Sequence, residues 1–471
     1  MKILLTGATG YIGKRLLPIL IEKGHTVVCC VRDVNRFNPE KKILQSIEVI
    51  EVDFLKKDSL KKIPKDIDGA YYLLHSMSSS SDFKELEMRC ATNFREVISK
   101  TNIKQVIYLS GIVNEDSLSR HLESRKDVEM ELDKGNYHFT TLRAGIIVGS
   151  GSASFEIIRD LVEKVPVMIT PKWLKTRCQP IGITDVLKFL EKALFQEKVY
   201  DQSFDIGGPD ILSYKEMLLG YAKVRGLNRW IFTIPVMTPK LSSYWLYFVT
   251  STSYMLASAL VNSMKIEVVC KNNLINQLLD VNPIGYETAL RRTLYKIKEN
   301  IIISSWKDSW GSGLMHQKLD LFLDVPDFGC FKDQRSKVIN NIEGTKDKIW
   351  QIGGESGWYS GNWLWQLRGF LDKLFGGVGL RRGRTHPFNL QPGDAVDFWR
   401  VLYANKEEGR LLLFAEMKLP GEAWLEFSIK NNILTQTATF RPKGLLGRLY
   451  WYAVFPFHGF IFKGMLRAIT K

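Results

Sequence analysis

The chain of 471 residues has few cysteines, and none of them is arranged for chemistry. Cys29, Cys30, Cys90, Cys178, Cys270 and Cys330 form no C-x-x-C pair and no Cys/His cluster, which argues against a zinc site or a disulfide framework. They read as reduced residues of a core. A basic leader and a small-residue cleavage site are also lacking, since the first residues already form an apolar strand. This pattern predicts a cytoplasmic protein, neither secreted nor imported. Acid is in deficit: 50 Asp and Glu stand against 65 Lys and Arg, a formal net charge of +15. Such a balance suits nucleic acid or an anionic membrane. No nucleic-acid motif accompanies it, however, and the lysines are spread as solvated faces are. The densest basic cluster, Leu380-Arg381-Arg382-Gly383-Arg384, reads as a charged surface loop.

Long charge-free runs are almost absent. Trp245 to Met264 is apolar and near spanning length, but it holds six Ser or Thr and an asparagine and lacks the flanking charges of a membrane span. It reads as helices walling a pocket. Leu449 to Phe462 is interrupted by Pro456 and His458 and is too short and broken to span. Peripheral membrane contact stays open.

Against these absences stands one dense signal at the start. Lys2 to Arg32 reads strand, turn, helix, strand, with glycines at Gly7, Gly10 and Gly13 in the turn. A tight exit from the strand needs Gly7, close approach of backbone amides to a pyrophosphate needs Gly10, and packing of the new helix on the sheet needs Gly13. The helix N-terminus then faces the anion. This is a dinucleotide cradle in its proper setting. The second strand ends in Arg32 and Asp33. A cation there suits the 2′-phosphate of NADP(H), with Lys14 or Arg15 beneath the loop, whereas Asp33 turned inward would select NAD(H). Asp53 ends the third strand beside the adenine position; its alternative role is a strand-end cap.

Strands and helices alternate through about residue 190, as a doubly wound parallel sheet requires. Strands are predicted at 47–52, 69–74, 105–109 and 139–142, with helices over about 82–100 and 119–134. A helix at 184–195, a strand at 202–206 and a helix from Ser213 begin an extension. The expected organisation is α/β: a Rossmann domain over 1–303 with a substrate extension about 183–303, a polar linker at 304–320, and a second α+β domain over 321–471. That second domain reads as an amphipathic helix, Trp363 to Phe375, then Gly376-Gly377, then strands 396–404, 411–417, 423–430 and 434–441. Hairpin turns fall at Lys406–Gly409 and Asn431-Asn432, and an aromatic helix closes the chain. Its tryptophans and phenylalanines either line an apolar cavity or simply fill a core.

The segments GATGYIG, Val52-Asp53, YYLLHSM (71–77), VIYLSGI (106–112), LRAGIIVGSGSASF (142–155), QPIGITDV (179–186) and FDIGGPD (204–210) resemble the atypical extended short-chain dehydrogenase/reductases. The likeness is to the NmrA-like group and to the reductase-like subunit of respiratory complex I. Residues 325–471 resemble the uncharacterised domain often fused behind such reductases, itself similar to polyketide-cyclase or START-like helix-grip proteins. GGVGLRRGR, GDAVDFWRV, AEMKLPGEAWLEF and FRPKGLLGRLYWYAVFPFH carry that match.

The resemblance implies cofactor contacts at Gly7, Thr9, Gly10, Tyr11, Ile12, Gly13, Arg32, Asp53, Phe54, His75 and Ser76. Active members use Ser with Tyr-x-x-x-Lys. Ser110 matches the serine, but His121 stands at the tyrosine position and Arg125 at the lysine position. Tyr108, Tyr137 and Lys126 are nearby without the spacing. Either His121 serves as acid/base with Arg125 and Ser110 around the substrate, or catalysis is lost and the dinucleotide is sensed. The implied function is an NAD(P)-binding oxidoreductase, NADP(H) preferred, acting on or sensing a hydrophobic small molecule or lipid. The rivals are a non-catalytic NADP(H) sensor or assembly protein and a nucleotide-sugar epimerase or dehydratase, the latter needing the missing Tyr-x-x-x-Lys.

Overall fold

The computed structural model describes residues 1–34, 43–74, 83–113, 120–234, 261–298, 330–354, 356–374 and 389–471, with residues 37, 39, 258, 325, 377 and 379. Described residues up to Lys298 fall in one compact unit, and those from Val325 onward in a second. His75, Ser76, the 304–320 linker, the Leu380–Arg384 cluster and most of Trp245–Met264 lie outside the described residues. No described helix is long and apolar enough to cross a membrane.

The first unit is built on strands β1 (Lys2–Leu5), β2 (Thr26–Val31), β3 (Ile47–Glu51), β4 (Gly69–Tyr72), β5 (Gln105–Gly111) and β6 (His138–Ala144). Short strands follow: β7 (Ile147–Val148), β8 (Val167–Pro171), β9 (Arg177–Cys178) and β10 (Ile181–Gly182). The rest are β11 (Gln202–Ile206), β12 (Leu212–Ser213) and β13 (Trp230–Ile234). Its helices are α1 (Gly13–Glu22), α2 (Phe83–Ile98), α3 (Arg120–Leu132), α4 (Ala153–Lys164), α5 (Ile183–Ala193), α6 (Tyr214–Arg225), α7 (Leu274–Leu278) and α8 (Tyr286–Lys298). The main sheet runs β11-β6-β5-β4-β1-β2-β3, and every pairing in it is parallel.

Parallel strands covered on both faces must be apolar at nearly every position, and β5 is buried throughout. Alternation then assigns the two faces. Ile3, Leu5, Val27 and Cys29 meet Leu16, Leu17 and Leu20 of α1 and Val186 and Leu190 of α5. Leu4, Val28, Ala70 and Tyr72 meet Phe94 and Ile98 of α2 and Val128 and Leu132 of α3. This is the doubly wound sheet that the residue pattern implies. Between β1 and β4 the chain reverses its direction of travel across the sheet, and ligands of such sheets bind at the carboxyl ends of the strands there. A separate core of α4, α6 and α8, around Phe155, Met217, Tyr221 and Leu290, forms the extension.

The second unit is a six-stranded antiparallel sheet ordered β14-β19-β18-β17-β16-β15. Its strands are β14 (Phe331–Val338), β15 (Ala395–Val396), β16 (Trp399–Asn405), β17 (Arg410–Ala415), β18 (Gly421–Lys430) and β19 (Ile433–Pro442). Helices α9 (Ile342–Trp350), α10 (Asn362–Leu374) and α11 (Gly444–Ile469) accompany it. Asn431 and Asn432, both at positive φ, turn β18 into β19 as hairpin chemistry requires. Helix α11 lies on β14 and β19, where Trp451 stacks on Phe331 and Phe440. One expectation is corrected: Pro456 and His458 do not interrupt the aromatic stretch, because α11 runs through both. Pro456 and Tyr452 are both exposed, so the carbonyl deprived of its donor, that of Tyr452, is within reach of water.

Candidate functional site

The glycine turn is rooted in β4. Thr6 is fully buried, and its Oγ1 donates to the Tyr71 carbonyl (3.0 Å) while accepting from Leu73 N (2.9 Å). Gly7 has φ +65°, and a Cβ there would stand 2.8 Å from the Leu73 carbonyl oxygen. Both facts demand glycine. A Cβ on Gly13 would overlap the Gly7 carbonyl and come within 2.9 Å of Ala8 Cα, so α1 begins directly against the turn. Gly10 differs. Its amide donates to Gly7 O (2.8 Å), and that oxygen, at 3.0 Å, is the one atom among the described residues that a Cβ would meet within 4 Å. Among the described residues the other side of Gly10 is open. Helix α1 has no acid in its first turn and no side-chain cap, which leaves its dipole suited to an anion. Thr9, Tyr11 and Ile12 are half-buried in this turn. The open side and the uncapped, acid-free helix start fit a pyrophosphate.

Arg15 does not line this opening. It is buried, its guanidinium lies 4.2 Å over the Tyr11 ring, and it donates to the carbonyls of Tyr11 (3.3 Å) and Ser150 (2.9 Å). It therefore ties the turn to the loop 149–152 that enters α4. Burial pushes the Tyr11 phenol well above its ordinary range.

Arg32 directly follows β2 and is exposed. Surrounding protein lowers its pKa from the ordinary arginine value, and the charges of Asp53 and Cys90 act against that lowering. Arg32, Asp53 and Cys90 thus share one neighbourhood, and burial pushes the Cys90 thiol up to about 12. Asp53 is engaged locally: its Oδ1 accepts from Leu55 N (3.0 Å), and Ser59 Oγ bonds both its amide and its carbonyl (3.0 and 2.9 Å). Phe54 has its ring in the core against Phe94, with centroids 5.7 Å apart, which leaves only its backbone for the expected cofactor contact. Its carbonyl accepts from Asn93 Nδ2 (2.6 Å). An apolar ring beside the core of β3 and α2 gains more from burial than from an open cleft.

The carboxyl end of β5 holds the second constellation. Ser110 is 2% exposed, and its Oγ meets no partner in hydrogen-bonding geometry among the described residues. The Nε of Arg125 is likewise buried without one. A Cβ on Gly111 would be 3.3 Å from Arg125 Nη1, so glycine there makes room for the guanidinium at the strand end. Tyr108, which donates to the Arg125 carbonyl (3.4 Å), is a core residue. Burial holds its phenol well above the ordinary range, against the lowering effects of Arg125 and Ser110. His121 lies in α3 one turn before Arg125 and shares its face by spacing; its side chain is outside the described residues. Tyr137 is turned away and donates to Leu132 O (2.7 Å), and Lys126 is exposed. Two buried donors thus stand at one strand end, where an unmade hydrogen bond is costly.

Sequence reasoning assigned no task to Gln179 and Asp185, and the structure gives each one. Gln179 is buried, donates to Gly208 O (2.6 Å) and accepts from Cys270 N (2.9 Å), clamping the 207–209 turn to the start of the extension. Asp185 is fully buried and accepts from Ile284 N (3.0 Å) and Lys188 Nζ (3.1 Å). Asp185 in the first turn of α5 and Gln179 just before β10 gave no signal beyond a polar residue in an apolar stretch. An open cavity of about 710 Å³ in the extension is lined by Arg159, Arg225 and Arg291, but each is paired with a glutamate, Glu156, Glu163 and Glu287 respectively.

A glycine turn at the switch point of a doubly wound sheet, with an uncapped helix start, is the arrangement of a dinucleotide-binding fold. Comparison with known proteins agrees. Residues 3–115 match the NAD dependent epimerase/dehydratase family, so the first unit has the fold of the NAD(P)-dependent epimerases and reductases. Residues 330–465 match DUF2867, a family of unknown function. Among relatives, divinyl chlorophyllide a 8-vinyl-reductase of Arabidopsis thaliana chloroplasts is 22% identical over 227 residues, 44% of this chain and 54% of that protein. A photosystem II assembly factor of Trieres chinensis is 24% identical over 250 residues, 52% of this chain and 75% of that protein. The chain thus spans only about half the length of the first of these. The triphenylmethane reductase of Citrobacter sp., also solved with NADP(H), superposes with a TM-score of 0.52 at 16% identity. That match covers 63% of this chain and 100% of the other, and it shows the fold alone.

Proposed function

We propose that the first unit is an NADP(H)-preferring oxidoreductase domain acting on a hydrophobic small molecule. The observation that carries the reading is the open side of Gly10 in a turn whose other two glycines are sterically obligatory. Backbone amides of the turn and of the start of α1 hold the pyrophosphate, and Arg32, exposed at the end of β2, reads the 2′-phosphate. Asp33 beside it is the residue that would favour NAD(H) instead.

When bound, the nicotinamide supplies a hydride to or from carbon. The residues of this chain do the rest. Ser110 Oγ, buried and unsatisfied, donates to a substrate oxygen. Arg125, with its Nε unsatisfied beside Gly111, offers positive charge at the same strand end. His121 takes the position that the family gives to its proton donor, and imidazole is a general acid and base. The missing Tyr-x-x-x-Lys favours a second reading, in which the dinucleotide is held and sensed without turnover.

Titration of the purified protein with NADPH and NADH by fluorescence tests the cradle, and a panel of quinones and aldehydes tests turnover. Binding of NADPH ahead of NADH with oxidation of the bound NADPH is the expected result. Binding without turnover overturns the oxidoreductase reading for that panel, and binding of neither overturns the cradle. In Arg32→Ala, losing a charge-assisted contact predicts roughly a ten- to hundredfold weaker NADPH Kd with NADH unchanged. Equal affinity for NADPH in the variant and the parent removes Arg32 from the reading.

A further inference from the structure

Twelve of the 25 large apolar side chains that are exposed among the described residues fall on two helices, five on α10 and seven on α11. Scattered single residues of this kind are ordinary, but a concentration is not. Trp363, Leu446 and Phe460 are 62%, 75% and 63% exposed.

The two helices touch at several points. Gly361 at the start of α10 stands against Ile461 and Phe460, Trp365 packs on Phe462 with centroids 6.4 Å apart, and Arg368 reaches back over Tyr450 at 5.9 Å. Leu446, Leu449, Phe457 and Phe460 share one stripe of α11 by helical spacing, and Trp363 and Phe370 are exposed on α10. Together these side chains make up the exposed apolar plate of the second unit.

Its charge is of one sign. Helix α11 contains no Asp or Glu, and its exposed Lys443 and Arg448 lie near one end of the stripe with Lys463 and Arg467 near the other. The single acid of α10, Asp372, is 1% exposed and turned inward, accepting from Lys418 N (2.7 Å) and Gly379 N (2.8 Å). Aromatic and leucine side chains between flanking cations are the composition of a helix that lies in a membrane interface. A second copy of the chain would bring the same cations to the contact with no carboxylate on the plate to answer them. Lipid phosphates answer them directly.

We propose that the second unit docks on an anionic lipid bilayer through the outer faces of α10 and α11, which lie in the interface without crossing it. This goes beyond the dinucleotide reading and does not depend on it. It places the protein beside a phase that holds apolar substrates.

The test is flotation of the full-length protein with vesicles of phosphatidylcholine, alone or mixed with phosphatidylglycerol. The wild type is expected to float with the mixed vesicles, less so as salt is raised. Phe457→Ser with Phe460→Ser is expected to weaken partitioning by about a hundredfold, roughly tenfold for each ring withdrawn. Arg448→Glu with Lys463→Glu is expected to weaken it at least tenfold, on anionic vesicles only. All four sites are exposed, so circular dichroism and NADPH titration of each variant should match the parent and separate this result from the fate of the cradle. A wild type that stays unbound overturns the proposal, as does flotation that the aromatic substitutions leave unchanged. So does a dimer, seen by light scattering, that Phe457→Ser with Phe460→Ser dissociates while vesicles remain unbound.

Discussion

The two glycines of the turn that differ most in surroundings, Gly10 and Gly13, should respond to the same methyl group in opposite ways. An alanine Cβ at 13 would overlap the Gly7 carbonyl and stand 2.9 Å from Ala8 Cα, and all of these neighbours are backbone. Carbon contacts are ordinarily about 3.5–4.0 Å, so the turn or the helix start must move. Overpacking usually costs about 1–3 kcal/mol, an overlap with rigid backbone falls in the upper part of that range at about 2–3 kcal/mol, and the helix preference of alanine over glycine returns about 1 kcal/mol. The net loss is about 1–2 kcal/mol. With an unfolding entropy near 2.1 cal/mol/K per residue over a unit of about 300 residues, that is a fall in Tm of roughly 2–3 °C. At Gly10 the methyl meets one carbonyl oxygen at 3.0 Å and no other atom of the described residues within 4 Å. Stability should stay within about 1 kcal/mol of the parent, while NADPH affinity falls at least about tenfold because the methyl fills the space the pyrophosphate needs. Differential scanning calorimetry and NADPH titration on both variants separate the effects. A Gly10→Ala protein that binds NADPH as the parent does refutes the assignment of the open side, and an unchanged Tm for Gly13→Ala refutes the steric argument.

Ser110→Ala removes a buried hydroxyl with no partner, so the midpoint of urea unfolding should move by less than about 1 kcal/mol, while kcat for any substrate found should fall at least about tenfold. Glu416→Gln breaks a buried bidentate pair in which Arg400 Nε and Nη2 donate to Glu416 at 3.0 and 3.2 Å; about 3 kcal/mol of the second unit's stability should go, read by calorimetry. His458, packed among Trp451, Phe455 and Phe462 with Asp333 and Arg335 nearby, has its pKa pushed down to about 4 by burial. It is neutral in the folded protein at pH 7, and below about pH 6.5 the unfolded chain takes up the proton first. Stability of the second unit should therefore fall as pH drops from about 6.5 to about 4, by on the order of 3 kcal/mol, and His458→Phe should flatten that slope in denaturant titrations at several pH values.

The first unit was legible because burial on both faces leaves its parallel strands almost no polar choice. VIYL (106–109) and VVCCV (27–31) declare themselves strands by composition alone. β14 was not legible. It carries FKDQRSKV, and its inward Asp333 and Arg335 satisfy each other at 2.9 and 3.0 Å, so a strand was built without an apolar signal. The glycines of the cradle could be read one by one, since each answers a local steric demand. Phe54 and Arg15 could not. Whether a ring or a guanidinium turns inward depends on Phe94 and Ser150, which are 40 and 135 positions away in sequence. The same holds for Gln179, whose partners Gly208 and Cys270 lie in later loops.

The Arg15 tether has a consequence for anyone wishing to redesign coenzyme preference. Because Arg15 is the donor used by the Ser150 carbonyl and the cation stacked on Tyr11, replacing it would disturb the loop that feeds α4 together with the turn. The proposed specificity of Arg32 and Asp33 is therefore better tested at the end of β2 than at Arg15.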